Sequence, residues 1–246
     1  HLHVNNLMLK NFFNTIFLSI KGYSLLRIYQ VQACKKINIK GNSIEFGAYK
    51  EKNKNFSSFF EGTSKVLFSN YYNYKNKNYL KIDLTKKFKL KGNKFDNAII
   101  LNVIEHLPNN SLTFKEIFRV LNPGGNLIGS TPFIYQVHGA PNDYFRFTKD
   151  FYKITLKKNK FKKIEIQALG FGPFVASYSL IYSYIKFFPL IKELILILAY
   201  FLDYLIQFFV KTDLKEIYPL GFYFTAKKWK FFIGHLFLQT LQPLKL

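Results

Sequence analysis

The sequence predicts an α/β domain built on a mostly parallel sheet, and two patterns carry that expectation. From residue 43 onward, short apolar runs alternate with stretches of helical periodicity, the pattern of strand–helix units. Residues 112–121 are apolar on one face and end at Asn122-Pro123-Gly124-Gly125, which reads as a helix stopped before a new strand. With 246 residues the chain can bury one full core, so one domain with an appendage suits it better than two domains.

The elements follow in order. Residues 7–33 place Phe12, Phe13, Ile16, Phe17, Ile20, Leu25, Leu26 and Ile28 at mixed helical spacing around Lys21-Gly22, so residues 1–40 are expected to form amphipathic helices. A charge at the middle of this stretch and the lack of a small-residue cleavage site argue against a signal peptide. The chain begins with His rather than Met and reads as a fragment or a processed product. Strands are expected at 43–46, 65–68, 79–81, 97–101 and 126–130, with two alternating ones at 163–168 and 221–226. The domain is therefore placed at 41–173 and 213–228.

Between the last two strands, residues 174–212 form an apolar insert divided by Pro189. Within 174–210 the charges Lys186, Lys192, Glu193 and Asp203 interrupt every window long enough to cross a bilayer. A pair of helical segments, either lying at a membrane surface or forming a helical hairpin, is expected there, and 229–246 reads as a further apolar tail.

The formal net charge is +22, yet only three of the 36 basic residues are arginine: Arg27, Arg119 and Arg146. Base edges and bidentate phosphate contacts favour the arginine fork, which argues against a nucleic-acid partner. Abundant Lys, Asn, Ile, Phe and Tyr together point first to AT-rich codon usage, and second to attraction toward an anionic membrane or substrate. Cys34 is the only cysteine, so an intrachain disulfide and a cysteine-based zinc site are both excluded and a reducing compartment is expected. His1, His3, His106, His138 and His235 show no metal-ligand spacing, and no metal site is expected.

Residues 95–132 read FDNAIILNVIEHLPNNSLTFKEIFRVLNPGGNLIGSTP. This order of strand, acidic turn, amphipathic helix, Pro-Gly-Gly and strand resembles the second half of class I S-adenosylmethionine-dependent methyltransferases of the type 11 group. The resemblance extends over residues 43–228, where YPLGFYFTAKK at 218–228 is similar to the family's last strand. It implies a Rossmann-like three-layer α/β/α sandwich with a seven-stranded sheet, the last strand antiparallel, and S-adenosylmethionine as cofactor. In SIEFGAYKEKN (43–53), Glu45 and Gly47 match the family's acidic and first glycine positions, but Tyr49 and Lys50 replace the later glycines. Asn70 stands where the family carries the ribose-binding acid. In YLKIDL (79–84), Asp83 would accept from the adenine amino group with Leu84 against the ring; the alternative for Asp83 is a turn cap. Asn102 would line the methionine end, and His106 either organises its turn or takes part in chemistry.

The stretch TPFIYQVHGAPNDYFRFT (131–148) is similar to the "HPxPNDYxRFT" loop of bacterial members associated with surface-polysaccharide or lipid-linked substrates. It packs His138, Asp143, Tyr144 and Arg146 into nine residues where a strand of an open sheet hands its loop to a ligand. His138 is the base by residue type, Asp143 its orienting group or substitute, and Arg146 a clamp for an anionic acceptor. The alternative is a structural loop in which Arg146 pairs with Asp143. The implied activity is methyl transfer to oxygen of a small or lipid-linked acceptor, in the cytoplasm at the inner face of a membrane. Rival expectations are a cofactor-poor binding module of the same fold and, behind it, a nucleic-acid methyltransferase. Against the latter, NVIE follows the fourth strand where "NPPY" is usual.

Overall fold

Seven strands form one sheet in the order β3-β2-β1-β4-β5-β7-β6. Their ranges are β1 Gly41–Phe46, β2 Ser64–Asn70, β3 Tyr79–Lys81, β4 Phe95–Leu101, β5 Leu121–Pro132, β6 Phe161–Leu169 and β7 Gly221–Lys228. The computed structural model describes residues 2–139 and 141–229, so all of the expected apolar tail except Trp229 lies outside the described residues.

The expectation of a mostly parallel sheet is corrected: the sheet is mixed. Pairings among β1, β2, β3, β4 and β5 are parallel, whereas β7 runs antiparallel to both β5 and β6. The cause lies in how the chain returns. Leu169, at the end of β6, is registered opposite Gly221, at the start of β7, and Leu220 donates its backbone N–H to Leu169 at 2.7 Å. Everything between them is thus one excursion from a single sheet edge, and an excursion that returns at its point of departure gives an antiparallel pair.

That excursion holds α5 (Pro173–Ile185), α6 (Pro189–Phe209) and the short α7 (Leu214–Ile217). Asp203 of α6 is fully buried and accepts from the N–H groups of Phe174 and Val175, both at 2.9 Å, capping the first turn of α5. The outward faces of both helices and the turn between them leave Leu180, Tyr184, Phe187, Leu190, Phe201 and Phe208 exposed. Among the described residues no helix is long and apolar enough to cross a membrane.

Alternation along the strands divides the core into two layers. On β4, Ala98 and Ile100 join the cluster under α3 (Ser111–Val120) and α4 (Lys149–Lys158), while Ile99 and Leu101 join the opposite cluster with α2 (Leu25–Cys34), α5 and α6. The N-terminal helix α1 (Leu2–Ile20) packs against α2 and α6. At the other edge the sandwich is thin: the connection from β1 to β2 is two short 3-10 turns, and no helix joins β2 to β3 or β3 to β4. The expected stop at Asn122-Pro123-Gly124-Gly125 is instead the beginning of β5. Gly124 at φ +86° and a register shift opposite Phe95 to Asn97 bend the strand there without ending it.

Candidate active site

Strands β1 and β4 are neighbours, and the chain leaves them toward opposite ends of the sheet, so the crevice at their carboxyl ends is the switch point where open α/β sheets take ligands. Gly47 follows β1 at φ +70°, and a Cβ there would lie 2.4 Å from Val103 Cγ2, just beyond β4. Asn102 is also left-handed, at φ 55°. Its side-chain amide pairs reciprocally with Gln30 of α2, at 2.6 and 3.1 Å, and Gln30 also donates to Ser130 Oγ at 3.0 Å. Sequence reasoning missed Gln30; a polar side chain between the apolar Ile28 and Val31 was the available signal.

The residues expected to meet the cofactor have partners inside the chain. Buried Glu45 accepts from Phe56 N at 2.8 Å and Ser57 N at 2.9 Å; burial raises its pKa, and these donors act against that rise. Asn70 donates to Ala48 O and accepts from Tyr72 N. Asp83 Oδ1 accepts from Thr85 N and Oγ1, which holds its pKa below the ordinary value, while Oδ2 faces the exposed Lys86 at 3.2 Å. Leu84 is in the core under α3. The loop carrying Tyr49 and Lys50 is closed by Asn55 and by the Tyr79 hydroxyl, which donates to Tyr49 O at 2.7 Å.

On the acceptor side, the loop after β5 docks on the turn after β4, because Tyr144 N and Phe145 N both donate to the Glu105 carbonyl, at 2.9 and 3.3 Å. Asp143 is buried in this loop. Its oxygens take a two-pronged contact from Arg146, at 2.5 and 2.7 Å, accept from the backbone N–H of His138 at 2.9 Å, and lie 3.2 Å from His138 Nδ1. The guanidinium holds the Asp143 carboxyl far below the usual carboxylate range. Arg146 also donates to Gln136 O and Phe145 O, so most of its fork is committed within the loop, the internal pairing foreseen as the alternative to an acceptor clamp.

Two further groups crowd this place. The His106 ring stands edge-on to that of His138 with centroids 5.0 Å apart, and its Nδ1 lies 2.6 Å from Asn142 O. Glu105 is fully buried, both its carboxyl oxygens are without a hydrogen-bond partner among the described residues, and burial raises its pKa to about 8. The linear spacing of the histidines hid this cluster. Glu105, His106 and His138 each bring one potential ligand atom within 4.8 Å of the others, a grouping that the spacing along the sequence does not show.

On the far side of α2, a cavity of about 970 Å³ lies between α1, α2, α6 and the end of β6. Phe12, Tyr29, Phe171 and Phe201 line its apolar part, and Lys36 and Lys211 its polar part.

Residues 62–129 match a family described as the methyltransferase domain, a span that begins after the Gly47 loop and ends within β5. Among solved structures, the chain is similar to phosphoethanolamine N-methyltransferase 2 of Haemonchus contortus in complex with S-adenosyl-L-methionine, with 15% identity and a TM-score of 0.51. The match covers 82% of this chain and 52% of that one. A putative sarcosine dimethylglycine methyltransferase from Galdieria sulphuraria gives 13% identity and a TM-score of 0.52 over 83% of this chain and 86% of that one. A putative methyltransferase of Haloferax volcanii, in complex with the Trm112 methyltransferase activator, gives 10% and 0.51 over 82% and 89%. The chain thus spans about half the length of the first of these. No curated protein matches it in sequence. Residues 62–129 thus resemble a methyltransferase domain, and the chain shares the fold of the methyltransferase structures to which it is similar.

Proposed function

We propose that the chain transfers a methyl group from S-adenosylmethionine to the hydroxyl oxygen of a small or lipid-linked acceptor. The observation that supports it most is the pair His138 Nδ1 and Asp143 Oδ2, 3.2 Å apart, with Asp143 held by Arg146. A carboxylate on Nδ1 fixes the proton there and leaves Nε2 with its lone pair, the form a general base needs. His138 then takes the acceptor's proton, while Asp143 and Arg146 position it.

The residues fit the cofactor at two places. Gly47 offers bare backbone beside Val103, and Asp83 keeps Oδ2 on an exposed lysine that an adenine amino group can replace. With Glu45, Asn70, Leu84 and Asn102 these residues would hold the cofactor, which supplies an electrophilic methyl group. Binding has to displace internal partners at Asn70 and Asn102. That is the specific ground for a second reading, a cofactor-poor binding module of the same fold.

The lipid-linked acceptor and peripheral attachment to the inner face of a membrane are supported by the exposed apolar faces of α5 and α6, by the lysine excess and by the apolar cavity beside α2. Residues 174–212 would be the attaching unit and 41–173 with 213–228 the catalytic one.

The test measures S-adenosylmethionine affinity by calorimetry, and turnover and thermal stability for the wild type and His138→Ala. A general base is worth roughly 10²- to 10⁴-fold, so His138→Ala should lose that factor in turnover with cofactor affinity unchanged. Normal turnover in this variant ends the base assignment, and a wild type that binds no S-adenosylmethionine favours the binding module. Vesicles with anionic lipid should float the intact chain, and alkaline carbonate should strip it; resistance to stripping would mean a spanning segment.

A further inference from the structure

We propose that Glu105, His106 and His138 form a binding site for a divalent cation of the zinc class. Glu105 is fully buried at the end of β4, and neither of its oxygens meets a donor among the described residues. Buried acceptors are almost always satisfied, and one left alone calls for a partner that the described residues do not supply.

The nearest groups are two imidazoles. His106 Nε2 is 3.8 Å from Glu105 Oε1, too long for a hydrogen bond but close to the separation of two ligands on one ion. Zinc bonds of about 2.0–2.2 Å in a tetrahedral arrangement put neighbouring ligand atoms roughly 3.3 Å apart. All three donor atoms already lie within 4.8 Å of one another. Closing the remaining gap takes side-chain rotations, and the partly exposed His138 can turn about its contact with Asp143.

Both rings are also oriented as metal-bound imidazoles are, with an acceptor on the other nitrogen. His106 Nδ1 faces Asn142 O at 2.6 Å, and His138 Nδ1 faces the Asp143 carboxylate at 3.2 Å, which leaves each Nε2 as the available ligand atom. Two imidazoles and a carboxylate with one side open to solvent form an N/O donor set that suits zinc and its first-row neighbours better than magnesium or calcium. The chain's charge of +22 repels cations at large, so affinity at this place must come from the ligands themselves.

The site uses the same His138 as the proposed base, and one lone pair serves one purpose at a time. The proton-accepting role therefore belongs to the cation-free chain. Cation binding is read without cofactor or acceptor, so it stands or falls separately from methyl transfer.

The experiment uses the full chain with His1, His3 and His235 changed to Ala, which removes the histidines outside the site. The protein is stripped with a chelator, then titrated with Zn²⁺ against a chromophoric competitor and with Co²⁺ by visible absorption. One equivalent per chain is expected, with a low-coordinate Co²⁺ spectrum. Glu105→Gln keeps the shape and removes the charge, and it should weaken Zn²⁺ binding at least 10-fold, as should His106→Ala and His138→Ala. Asp143→Asn should weaken it by roughly 10- to 100-fold as a group behind a ligand. If Glu105→Gln does not fold, the partly exposed His138 carries the test alone. No saturable binding in the background chain, or affinity unchanged in the folded variants, overturns the site and leaves Glu105 as a neutral buried acid.

Discussion

Gly47→Ala is a sharp test of the crevice, because the structure predicts both its cost and the substitution that relieves it. The residue sits at φ +70°, where an L side chain costs about 1–2 kcal/mol, and the new methyl would lie 2.4 Å from Val103 Cγ2. Forcing a methyl into a packed contact costs about 1–3 kcal/mol more, giving roughly 2–5 kcal/mol in all. Measured against a total stability of about 5–15 kcal/mol, that is a large but survivable loss. Val103→Ala in the same chain empties the space but leaves the backbone strain. The two substitutions should therefore couple favourably by about 1–3 kcal/mol in a double-mutant cycle. Urea denaturation of the four proteins measures the cycle, and calorimetry with S-adenosylmethionine measures whether affinity is regained with it. Costs that add to within about 0.5 kcal/mol would show that the two positions are independent and would refute the close approach of the loop to β4.

Two further outcomes concern the frame around the site. Asp203→Ala strips two buried N–H groups of α5 of their acceptor and should cost about 1–3 kcal/mol in urea denaturation, with Asp203→Asn recovering part of it; a loss under about 0.5 kcal/mol rejects the cap. Glu116 is held below its ordinary 4.5 by hydrogen bonds from Arg119 and by the N–H of Phe88, so its stabilisation is complete above the unfolded value and is lost as pH falls through the folded one. Wild type should then lose more stability than Glu116→Gln between neutral pH and about pH 3.5, and equal losses would remove Glu116 from the acid transition.

What the sequence made legible was mainly what is local. The strands at 79–81 and 221–226 and the helix after the VIEHL turn were readable because a period of two or 3.6 residues is written within a dozen positions. The Asp143–Arg146 pair spans one turn of chain and was foreseen as an alternative for the same reason. The direction of β7 was legible only through the family resemblance, which implies an antiparallel last strand, since alternation says nothing of which neighbour a strand will take. Gly124 misled in the other direction: its left-handed φ marks a bend inside β5, and the same residue type ends helices. Gln30 with Asn102, and Glu105 with His138, were out of reach, because 72 and 33 residues of chain separate partners that only the packing of α2 on the end of β4, and the meeting of the ends of β4 and β5, bring together.

The two halves of the crevice differ in how much of their bonding is already spent. In the loop after β5 the side chains of Asp143 and Arg146 are spent on each other and on the loop backbone, which leaves the Glu105 carboxylate without a partner among the described residues. On the cofactor side, Glu45, Asn70, Asp83 and Asn102 already accept from the chain, so each new bond to a ligand replaces an old one. An exchange of that kind gains only the difference between two bonds, where filling an empty acceptor would relieve about 1–3 kcal/mol of desolvation. Asp83 is the exception in degree: the partner of its Oδ2 is an exposed lysine, and surface ion pairs are worth about 0–1 kcal/mol. Asp83→Ala should therefore weaken S-adenosylmethionine binding more than Asn70→Ala, although in the family the ribose position is the acidic one. Calorimetry on the two variants decides it, and an equal loss would mean that internal pairing does not govern the affinity of this crevice.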